Sequence, residues 1–358
     1  MSDNNRETIK NSLCDIFRSY GYSRFKVNKF EEYDLYAQNR SFLTSKQFIT
    51  FSDTDGRLMA LKPDVTLSII KNISPADKLR KLYYTESVYR VPEGGDGFRE
   101  ITQTGLEYIG SLNCASIAEV LNIAARSLAC IGGDYVLDIS HLGVLSGILD
   151  DEGVSPEAQA KIFESVSRKM PHGTAQLCRS FGVSQVSISM INELAGLYGS
   201  IAEIIPAVEK MPLPRKSRDA VSELKSVCSL LSAYGNVNAR LDFSLVNVTE
   251  YYNGFVFCGY VADVPNAVLS GGCYDGLMRK MSKTQSAIGF AVYLDRLEGL
   301  VSEKAEYDAD TLVVSGAKLT EAIEMAEKLR KNGESVMLLE SMPEGMRFKS
   351  VVDLTKEG

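Results

Sequence analysis

Polar residues replace apolar ones on one face of a predicted strand, Arg99–Ile109, which reads REITQTGLEYI. Successive side chains of a β-strand point to opposite faces, so Arg99, Gln103, Gly105 and Glu107 share one face. A strand that lines a core turns apolar side chains inward, whereas this face offers an amide, a carboxylate and a glycine that another group can approach. The pattern predicts the floor of a binding site.

An amphipathic helix over 6–20 and several short strands surround this stretch. The strand-like segments are separated by Gly, Asp and Asn turns, and most connections are too short for parallel crossovers. An antiparallel sheet is therefore expected. Its strands are predicted at FKV (25–27), QFITFSD (47–53), RLMALKP (57–63), KLYYTESVYR (81–90) and REITQTGLEYIG (99–110), with helices at 66–72 and 115–131.

A helical pattern fills about 155–235, and strand signals then return. NARLDFSLV, GFVFCGYV and NAVLSGG, which together fall within 238–272, predict that the sheet is completed on both sides of a helical insertion. DTLVVSGA, KLTEAIEMAEKLRKNG and SVMLLES predict one strand–helix–strand unit. The expected class is α+β, with a core over 1–304 in which helices flank the antiparallel sheet, and a small α/β segment over 305–358.

Composition narrows the possible functions of the chain. The 358 residues are 45% hydrophobic and carry a net charge of −7, without a dense run of Lys and Arg, which argues against tRNA or DNA as a partner. The polar start and the lack of a bilayer-length apolar run favour a cytoplasmic protein with no membrane segment. Seven cysteines without CxxC pairs and two histidines predict no metal site and no cofactor. His141 is a general base or a hydrogen-bonded structural residue, and His172 is expected in a loop.

Two arginines meet at the mouth of the predicted hairpin. The Gly-rich loop VPEGGDGF joins the two long strands and brings Arg90 close to Arg99. The two guanidinium groups repel each other unless an anion, such as a phosphate or carboxylate, lies between them. The alternative is a pair of solvated arginines.

Carboxylates and tyrosines supply the other candidate site residues. In LKPDVT, Asp64 and Thr66 precede a short helix, where Asp64 either caps the helix or, with Thr66 and Glu107, binds a ligand ammonium group. Tyr251, Tyr252 and Tyr274 follow or precede glycines and can form the walls of a pocket or simply pack. Asp295 and Arg296 form a surface pair or contact an anion at the sheet edge.

In this order, these segments resemble the class II aminoacyl-tRNA synthetases, and the histidyl-tRNA synthetase family most closely. KLYYTESVYR…GFREITQTGLEYIG resembles motif 2 of that family and AIGFAVYLDRL resembles motif 3, while LKPDVT, EYYNGFVF and GGCYDGL resemble its histidine-binding segments. The resemblance implies that Asp64 and Thr66 meet the amino group of histidine, that Gln103 and Glu107 hold the amino acid, and that Tyr252 and Tyr274 line its ring. It also implies that Arg90 and Arg296 match arginines that hold ATP.

Departures from this pattern point away from catalysis. Asn247 stands where the synthetase has an arginine that stabilises adenylate formation, and losing such a cation costs about 3 kcal/mol or more. Pro92 and Glu93 replace the usual Glu-Arg, and only about fifty residues follow Tyr307, where the family carries an anticodon-binding domain. In these respects the chain is similar to the synthetase-like regulatory subunits of ATP phosphoribosyltransferase.

The resemblance therefore implies a non-catalytic, histidine-sensing subunit. Such a subunit has a homodimeric core, binds L-histidine as effector and assembles in a hetero-oligomer with the short-form ATP phosphoribosyltransferase catalytic subunit. The histidine site lies in the synthetase-like pocket or at an interface with that subunit. Two alternatives are a divergent adenylate-forming enzyme, which retains histidine-dependent ATP–pyrophosphate exchange, and a scaffold that binds no amino acid.

Overall fold

A computed structural model describes residues 3–43, 47–91, 95–235, 237–246, 251–297 and 307–355. The chain divides into two compact units, Arg6–Leu300 and the smaller Val301–Gly358 with Met1–Asn5. The boundary predicted between 304 and 305 falls outside the described residues and stays a prediction.

Both units combine helices and strands. The described strands are β1 (Ser23–Arg24), β2 (Phe30–Glu32), β3 (Thr50–Ser52), β4 (Leu58–Leu61), β5 (Leu79–Arg90), β6 (Arg99–Gly110), β7 (Tyr135–His141), β8 (Tyr198–Ser200), β9 (Ala239–Asp242), β10 (Phe255–Val261), β11 (Leu269–Cys273), β12 (Ser286–Tyr293), β13 (Ala309–Val314), β14 (Val336–Leu339) and β15 (Phe348–Asp353). The described helices are α1 (Asp3–Ser19), α2 (Tyr33–Gln38), α3 (Thr66–Lys71), α4 (Cys114–Ile131), α5 (Leu142–Asp151), α6 (Pro156–Ser167), α7 (Pro171–Ser180), α8 (Gln185–Gly196), α9 (Ile201–Glu209), α10 (Arg215–Ser232), α11 (Asp275–Lys280) and α12 (Leu319–Lys331), with 3-10 turns at Arg40–Phe42 and Leu294–Leu297.

A large sheet forms the centre of the first unit. Over the described residues it has nine strands in the order β1-β5-β6-β12-β11-β10-β7-β9-β8. Its pairs are antiparallel except for β1 with β5 and β7 with β9. Helices α5 to α10 intervene between β7 and β10, which are neighbours in the sheet. The predicted α+β class and antiparallel sheet, completed on both sides of a helical insertion, are confirmed.

Two smaller three-stranded sheets complete the fold over the described residues. In the first unit, β2, β4 and β3 pair in an antiparallel sheet. In the second unit, β13 lies between β14 and β15 and runs parallel to both. Helix α12 packs on this sheet through Ala322 and Ala326, which contact Val313. The strand β15 was not part of the predicted strand–helix–strand unit.

Three local predictions are wrong, each for a physical reason. The segment 25–27 is not a strand. After β1 the ladder with β5 ends, and the Val27 N–H donates instead to the Glu86 carboxylate at 3.2 Å. His172 lies in the first turn of α7, where the preceding Pro171 starts the helix with a preset φ. The helical pattern across 189–205 is interrupted by β8, an edge strand that contains Gly199 at a φ of +154°.

Helix α4 is long and mostly apolar. By length and composition it could cross a membrane, so the expectation that no apolar run is long enough is wrong. The helix is 61% buried, and it packs against β7, β10 and β12 of the large sheet and against α10. The helix lies between the sheet and α10, so its hydropathy reflects its place in the core.

Candidate functional site

The floor of the candidate site is a row of residues across three neighbouring strands. Glu107 on β6 lies opposite Gly289 on β12, which lies opposite Gly272 on β11. A Cβ atom on Gly289 would come within 1.8 Å of the Glu107 Oε2 atom, and one on Gly272 would come within 2.8 Å of the Tyr252 ring. The two glycines therefore leave bare backbone beneath a carboxylate and an aromatic ring.

The Glu107 carboxyl group lies at the centre of this floor, and its side chain is 2% exposed. Its Oε1 accepts a hydrogen bond from the Thr66 hydroxyl at 2.8 Å, and its Oε2 accepts one from the Tyr274 hydroxyl at 2.6 Å. Burial raises the pKa of Glu107 to about 8, because the two hydroxyl donors lower it less than desolvation raises it. A cationic group placed here would stabilise the ionised form.

Asp64 is a second carboxylate, close enough to Glu107 to interact with its charge. Its Oδ1 accepts the Leu67 N–H at 2.9 Å, so the predicted capping contact at α3 is present. Burial raises the pKa of Asp64, while the Leu67 hydrogen bond and the charge of Arg90 lower it. Asp64 in turn raises the pKa of Glu107. Two carboxylates that interact in this way favour a ligand with a positive charge between them.

Tyrosines surround the carboxylates. The rings of Tyr251 and Tyr252 meet edge to face with centroids 4.7 Å apart, and Tyr251 lies 6.0 Å from Tyr274. Tyr84, which sequence reasoning missed, lies over Gly105, where a Cβ would come within 2.7 Å of its hydroxyl oxygen. The gaps predicted over the floor glycines are thus filled by the protein's own tyrosine side chains.

Gln103 lies four residues before Glu107 on the same face of β6 and is 5% exposed. Its neighbours across the sheet are Glu86 on β5 and Tyr293 on β12. Glu86 accepts a hydrogen bond from the ammonium group of Lys62, which is 1% exposed. Sequence reasoning missed this buried ion pair; Lys62 lies next to Pro63 in LKPDVT, but nothing in the sequence marks Glu86 as its partner.

The three candidate arginines lie where β5 and β12 end and β6 begins, and Arg90 is close enough to Asp64 to lower its pKa. Arg90 and Arg99 are directly opposite each other, as the hairpin predicts, with Arg90 half-buried and Arg99 exposed. The Arg296 guanidinium stacks 4.2 Å from the centroid of the Tyr293 ring and donates to the carbonyl oxygen of Ala267. Arg296 is therefore held by contacts within the protein.

Asp295 does not pair with its neighbour Arg296. It forms an ion pair with Arg6 and accepts the Thr102 N–H at 2.6 Å, which ties the turn after β12 to α1 and β6. The Tyr293 hydroxyl group lies 2.6 Å from the Ser270 hydroxyl group on β11. The end of β12 is thus fixed by several internal contacts.

The His141 side chain is held by contacts within the protein. Its Nδ1 accepts the Gly143 N–H at 3.1 Å at the start of α5, its Nε2 lies 3.4 Å from Glu223, and its ring meets Phe255 edge to face. Its partner across the sheet is Phe255, whereas the neighbouring Val256 continues the row of Glu107, Gly289 and Gly272. His141 therefore points away from the site face, which favours its structural interpretation over a general base.

The described residues offer no site for a metal ion. Among them, no cluster of three or more His, Cys, Asp or Glu residues could hold a metal ion. Asn247, Pro92 and Glu93, on which part of the argument against catalysis rests, lie outside the described residues. What the described geometry offers is a buried, acidic group of side chains surrounded by tyrosines, which suits a positively charged group.

Comparison with known proteins shows the family of the chain. Residues 2–297 match the family model described as Histidyl-tRNA synthetase. The chain belongs to the histidyl-tRNA synthetase family. An ATP phosphoribosyltransferase regulatory subunit from Desulfitobacterium hafniense is 30% identical over 96% of this chain and 90% of its own length. A histidine–tRNA ligase of Methanococcus vannielii is 31% identical over 92% of this chain and 81% of its own length. The predicted resemblance to the regulatory subunits is confirmed.

Solved structures share the fold of this histidyl-tRNA synthetase family member. A Bacillus halodurans protein titled ATP phosphoribosyltransferase regulatory subunit/histidyl-tRNA synthetase superposes with a TM-score of 0.81 at 24% identity, covering 98% of this chain and 94% of that one. A chain of the Thermotoga maritima ATP phosphoribosyl transferase (HisG:HisZ) complex gives a TM-score of 0.62 at 21% identity, and the match covers 81% of this chain and 97% of that one. The class II synthetase-like fold is confirmed.

Proposed function

We propose that this chain is the non-catalytic, histidine-binding regulatory subunit of an ATP phosphoribosyltransferase. In this role it assembles with a short-form catalytic subunit and is required for the activity and feedback inhibition of the first step of histidine biosynthesis. The observation that carries the proposal is the Glu107 carboxyl group, which is buried, bound by the hydroxyls of Thr66 and Tyr274, and suited to a ligand ammonium group.

The pocket chemistry fits a free amino acid with an aromatic ring. The α-ammonium group of histidine contacts Glu107, Asp64 and Thr66, and the imidazole ring lies among the tyrosines. Gln103 supplies an amide that can donate to the ligand carboxylate or accept from its ring. The ligand contacts proposed in full are Asp64, Thr66, Gln103, Glu107, Tyr251, Tyr252 and Tyr274.

The arginines support binding without adenylate formation. Stabilising the transition state of phosphoryl chemistry requires cations aimed at the reacting oxygens. Arg296 instead stacks on Tyr293 and binds the Ala267 carbonyl, while Arg99 is exposed to solvent. Arg90 and Arg99 remain candidates for contacting an anion at the mouth of the hairpin.

One experiment separates this function from that of a divergent ligase. Purified chain is incubated with histidine, ATP, Mg²⁺ and labelled pyrophosphate, and the exchange of label into ATP is measured. We expect no histidine-dependent exchange above a protein-free control. Exchange that depends on histidine would establish adenylate formation and refute the non-catalytic role.

A second experiment separates a sensor from a scaffold. Calorimetry of the chain with L-histidine is expected to show saturable heat, while a scaffold that binds no amino acid gives none. Feedback further requires histidine to bind two assembly states with affinities that differ by about 1–3 kcal/mol. The histidine affinity should therefore change when the catalytic subunit is present.

The assembly and location follow from the same proposal. We propose a homodimeric synthetase-like core within the hetero-oligomer, in the cytoplasm, with no tRNA partner, in keeping with the net charge of −7. Size-exclusion chromatography with light scattering of the chain alone measures whether the core is a dimer. A monomer at micromolar concentration would contradict the dimeric core.

A further inference from the structure

Asn253 joins the two segments that carry the tyrosines of the proposed site. It follows Tyr252 directly, and its contacts reach the turn that begins with Tyr274. The Asn253 Oδ1 atom accepts the Gly276 N–H at 3.0 Å, and the Asn253 N–H donates to the Cys273 carbonyl oxygen at 2.7 Å. Two hydrogen bonds of one residue thus tie the chain beside Tyr252 to the chain on both sides of Tyr274.

The Asn253 side chain takes the place of a cap at the start of α11. Tyr274 occupies the N-cap position of this helix, but its side chain makes no capping hydrogen bond. The Gly276 N–H belongs to the first turn, where no carbonyl group of the helix can accept it. Asparagine usually supplies the missing acceptor from the N-cap position itself, whereas Asn253 supplies it from 23 residues earlier in the chain. The contact therefore links two segments of the site.

Backbone hydrogen bonds hold each segment against the large sheet. The Gly254 carbonyl oxygen accepts the Leu142 N–H at 2.8 Å, and Gly254 has a φ of +72°, which favours glycine. The Tyr274 N–H donates to the Ala287 carbonyl oxygen at 3.0 Å. These bonds fix each segment separately, whereas the Asn253 side chain fixes one segment relative to the other.

The spacing of these two segments sets the geometry around Glu107. The Tyr274 hydroxyl group donates to Glu107 at 2.6 Å, and the Tyr252 ring lies over Gly272, where a Cβ atom would come within 2.8 Å of it. A binding site keeps its affinity only when its contact groups are held within about 0.5 Å by the residues that support them. A shift of Tyr252 relative to Tyr274 would therefore weaken the binding of a ligand that contacts both.

From these contacts we infer that Asn253 is a positioning residue of the histidine site. Its side chain holds the segment of Tyr251 and Tyr252 at a fixed distance from Tyr274, and hence from Glu107, and it acts on the ligand through these side chains. The inference rests on the proposed function, because it requires histidine to lie among the tyrosines. It adds a supporting residue to the ligand contacts proposed above.

The test titrates the full chain and its variants with L-histidine by calorimetry. If the unmodified chain gives no saturable heat, the proposed function fails and this inference fails with it. If it binds, Asn253→Leu, which keeps the size of the side chain but removes the acceptor for the Gly276 N–H, should weaken histidine binding about fivefold. Asn253→Asp keeps an oxygen acceptor at that position and should bind histidine at least as tightly as the unmodified chain to within about twofold.

Asn113→Leu is the matched control, which separates positioning from a general loss of stability. The Asn113 Oδ1 atom accepts the Ser116 N–H at 3.0 Å at the start of α4, so this variant removes a hydrogen bond of the same kind and length from another helix. Both leucine variants should melt a few degrees below the unmodified chain. Histidine affinity should fall in Asn253→Leu and stay unchanged in Asn113→Leu.

Three results would overturn the inference. They are unweakened binding in Asn253→Leu, equal weakening in both leucine variants, and no recovery of affinity in Asn253→Asp. Far-ultraviolet circular dichroism establishes that each variant is folded. If a leucine variant does not fold, Asn253→Ala and Asn113→Ala replace the pair, because truncation introduces no clash, and the same outcomes decide.

Discussion

The two halves of the candidate pocket differ in how tightly their polar groups are held. In the carboxylate half, Glu107 is buried and receives hydrogen bonds from Thr66 and Tyr274. In the arginine half, Arg99 is exposed and Arg296 is bound to a tyrosine ring and a backbone carbonyl. The carboxylate half thus offers a buried acid to a cationic group, whereas Arg296 in the other half is held by contacts within the protein.

This difference separates recognition from catalysis on one fold. A buried carboxyl group without a cation is costly to the empty protein, so a ligand ammonium group that pairs with it gains more than it would at the surface. An exposed arginine contributes little to binding and cannot stabilise a transition state unless it is aimed at the reacting oxygens. The described geometry therefore suits recognition of a cation better than stabilisation of phosphoryl transfer.

Removing the charge at Glu107 should have the largest effect. Glu107→Gln keeps the size of the side chain but leaves the ligand ammonium group without its buried carboxylate, so histidine affinity should fall about a hundredfold. Calorimetry of the purified variant measures this. Glu100→Gln, an exposed change on the same strand, should alter affinity less than about twofold.

The stability of the same variant distinguishes a ligand role from a structural one. Because the pKa of Glu107 in the folded chain is about 8, above its usual 4.5, folding takes up a proton between these values and stability falls as pH rises through them. Glu107→Gln should therefore melt no lower than the unmodified chain at pH 8. A markedly lower melting temperature with normal histidine affinity would make Glu107 structural.

Adding a methyl group at Gly289, in the floor of the site, should have the next largest effect on histidine affinity. In Gly289→Ala the new Cβ would lie 1.8 Å from the Glu107 carboxylate and 2.5 Å from the Leu106 carbonyl oxygen, so the carboxylate must move. Overpacking of this kind costs about 1–3 kcal/mol of stability, and histidine affinity should fall with it. Gly133→Ala, where nothing lies within 4 Å of the new atom, serves as the control in thermal unfolding; equal melting of the two variants would contradict the packed floor.

The sequence predicts the floor of the pocket better than its walls. Alternation along β6 places Gln103 and Glu107 on one face, and the strand pair with its Gly-rich loop brings Arg90 opposite Arg99. Both are local patterns, which depend only on strand geometry and on a short connection. The antiparallel pairing of the large sheet follows similarly, because strand signals resume after the helical insertion.

The walls depend on contacts between distant segments, which alternation within one strand cannot specify. Tyr84 fills the space over Gly105, and Tyr252 fills that over Gly272. The ion pair between Lys62 and Glu86 likewise joins a turn to a neighbouring strand. A glycine in a strand indicates that another group lies close to the backbone there. Only the strand register and the packing show that this group is a side chain of the protein itself.

A change in pH should shift histidine affinity by a smaller, calculable amount. In the empty pocket Glu107 holds a proton below its pKa of about 8, and binding of an ammonium group requires the ionised form. Binding near pH 7 should release close to one proton, and affinity should rise about fivefold from pH 7 to 8. Calorimetry in buffers of different ionisation enthalpy counts the protons. The same series on Glu107→Gln subtracts the titration of histidine itself, and an unchanged proton count in that variant would assign the release elsewhere.

The smallest effect is expected where the arginine half is altered. Arg296→Ala removes a side chain that stacks on Tyr293 and donates to Ala267. Because these contacts lie within the protein and the arginine is exposed, histidine affinity should change less than about twofold. Calorimetry on this variant beside Glu107→Gln gives the ratio of the two effects directly. A loss as large as that of Glu107→Gln would show that Arg296 leaves Tyr293 to hold the ligand, and the two halves of the pocket would then act together in recognition.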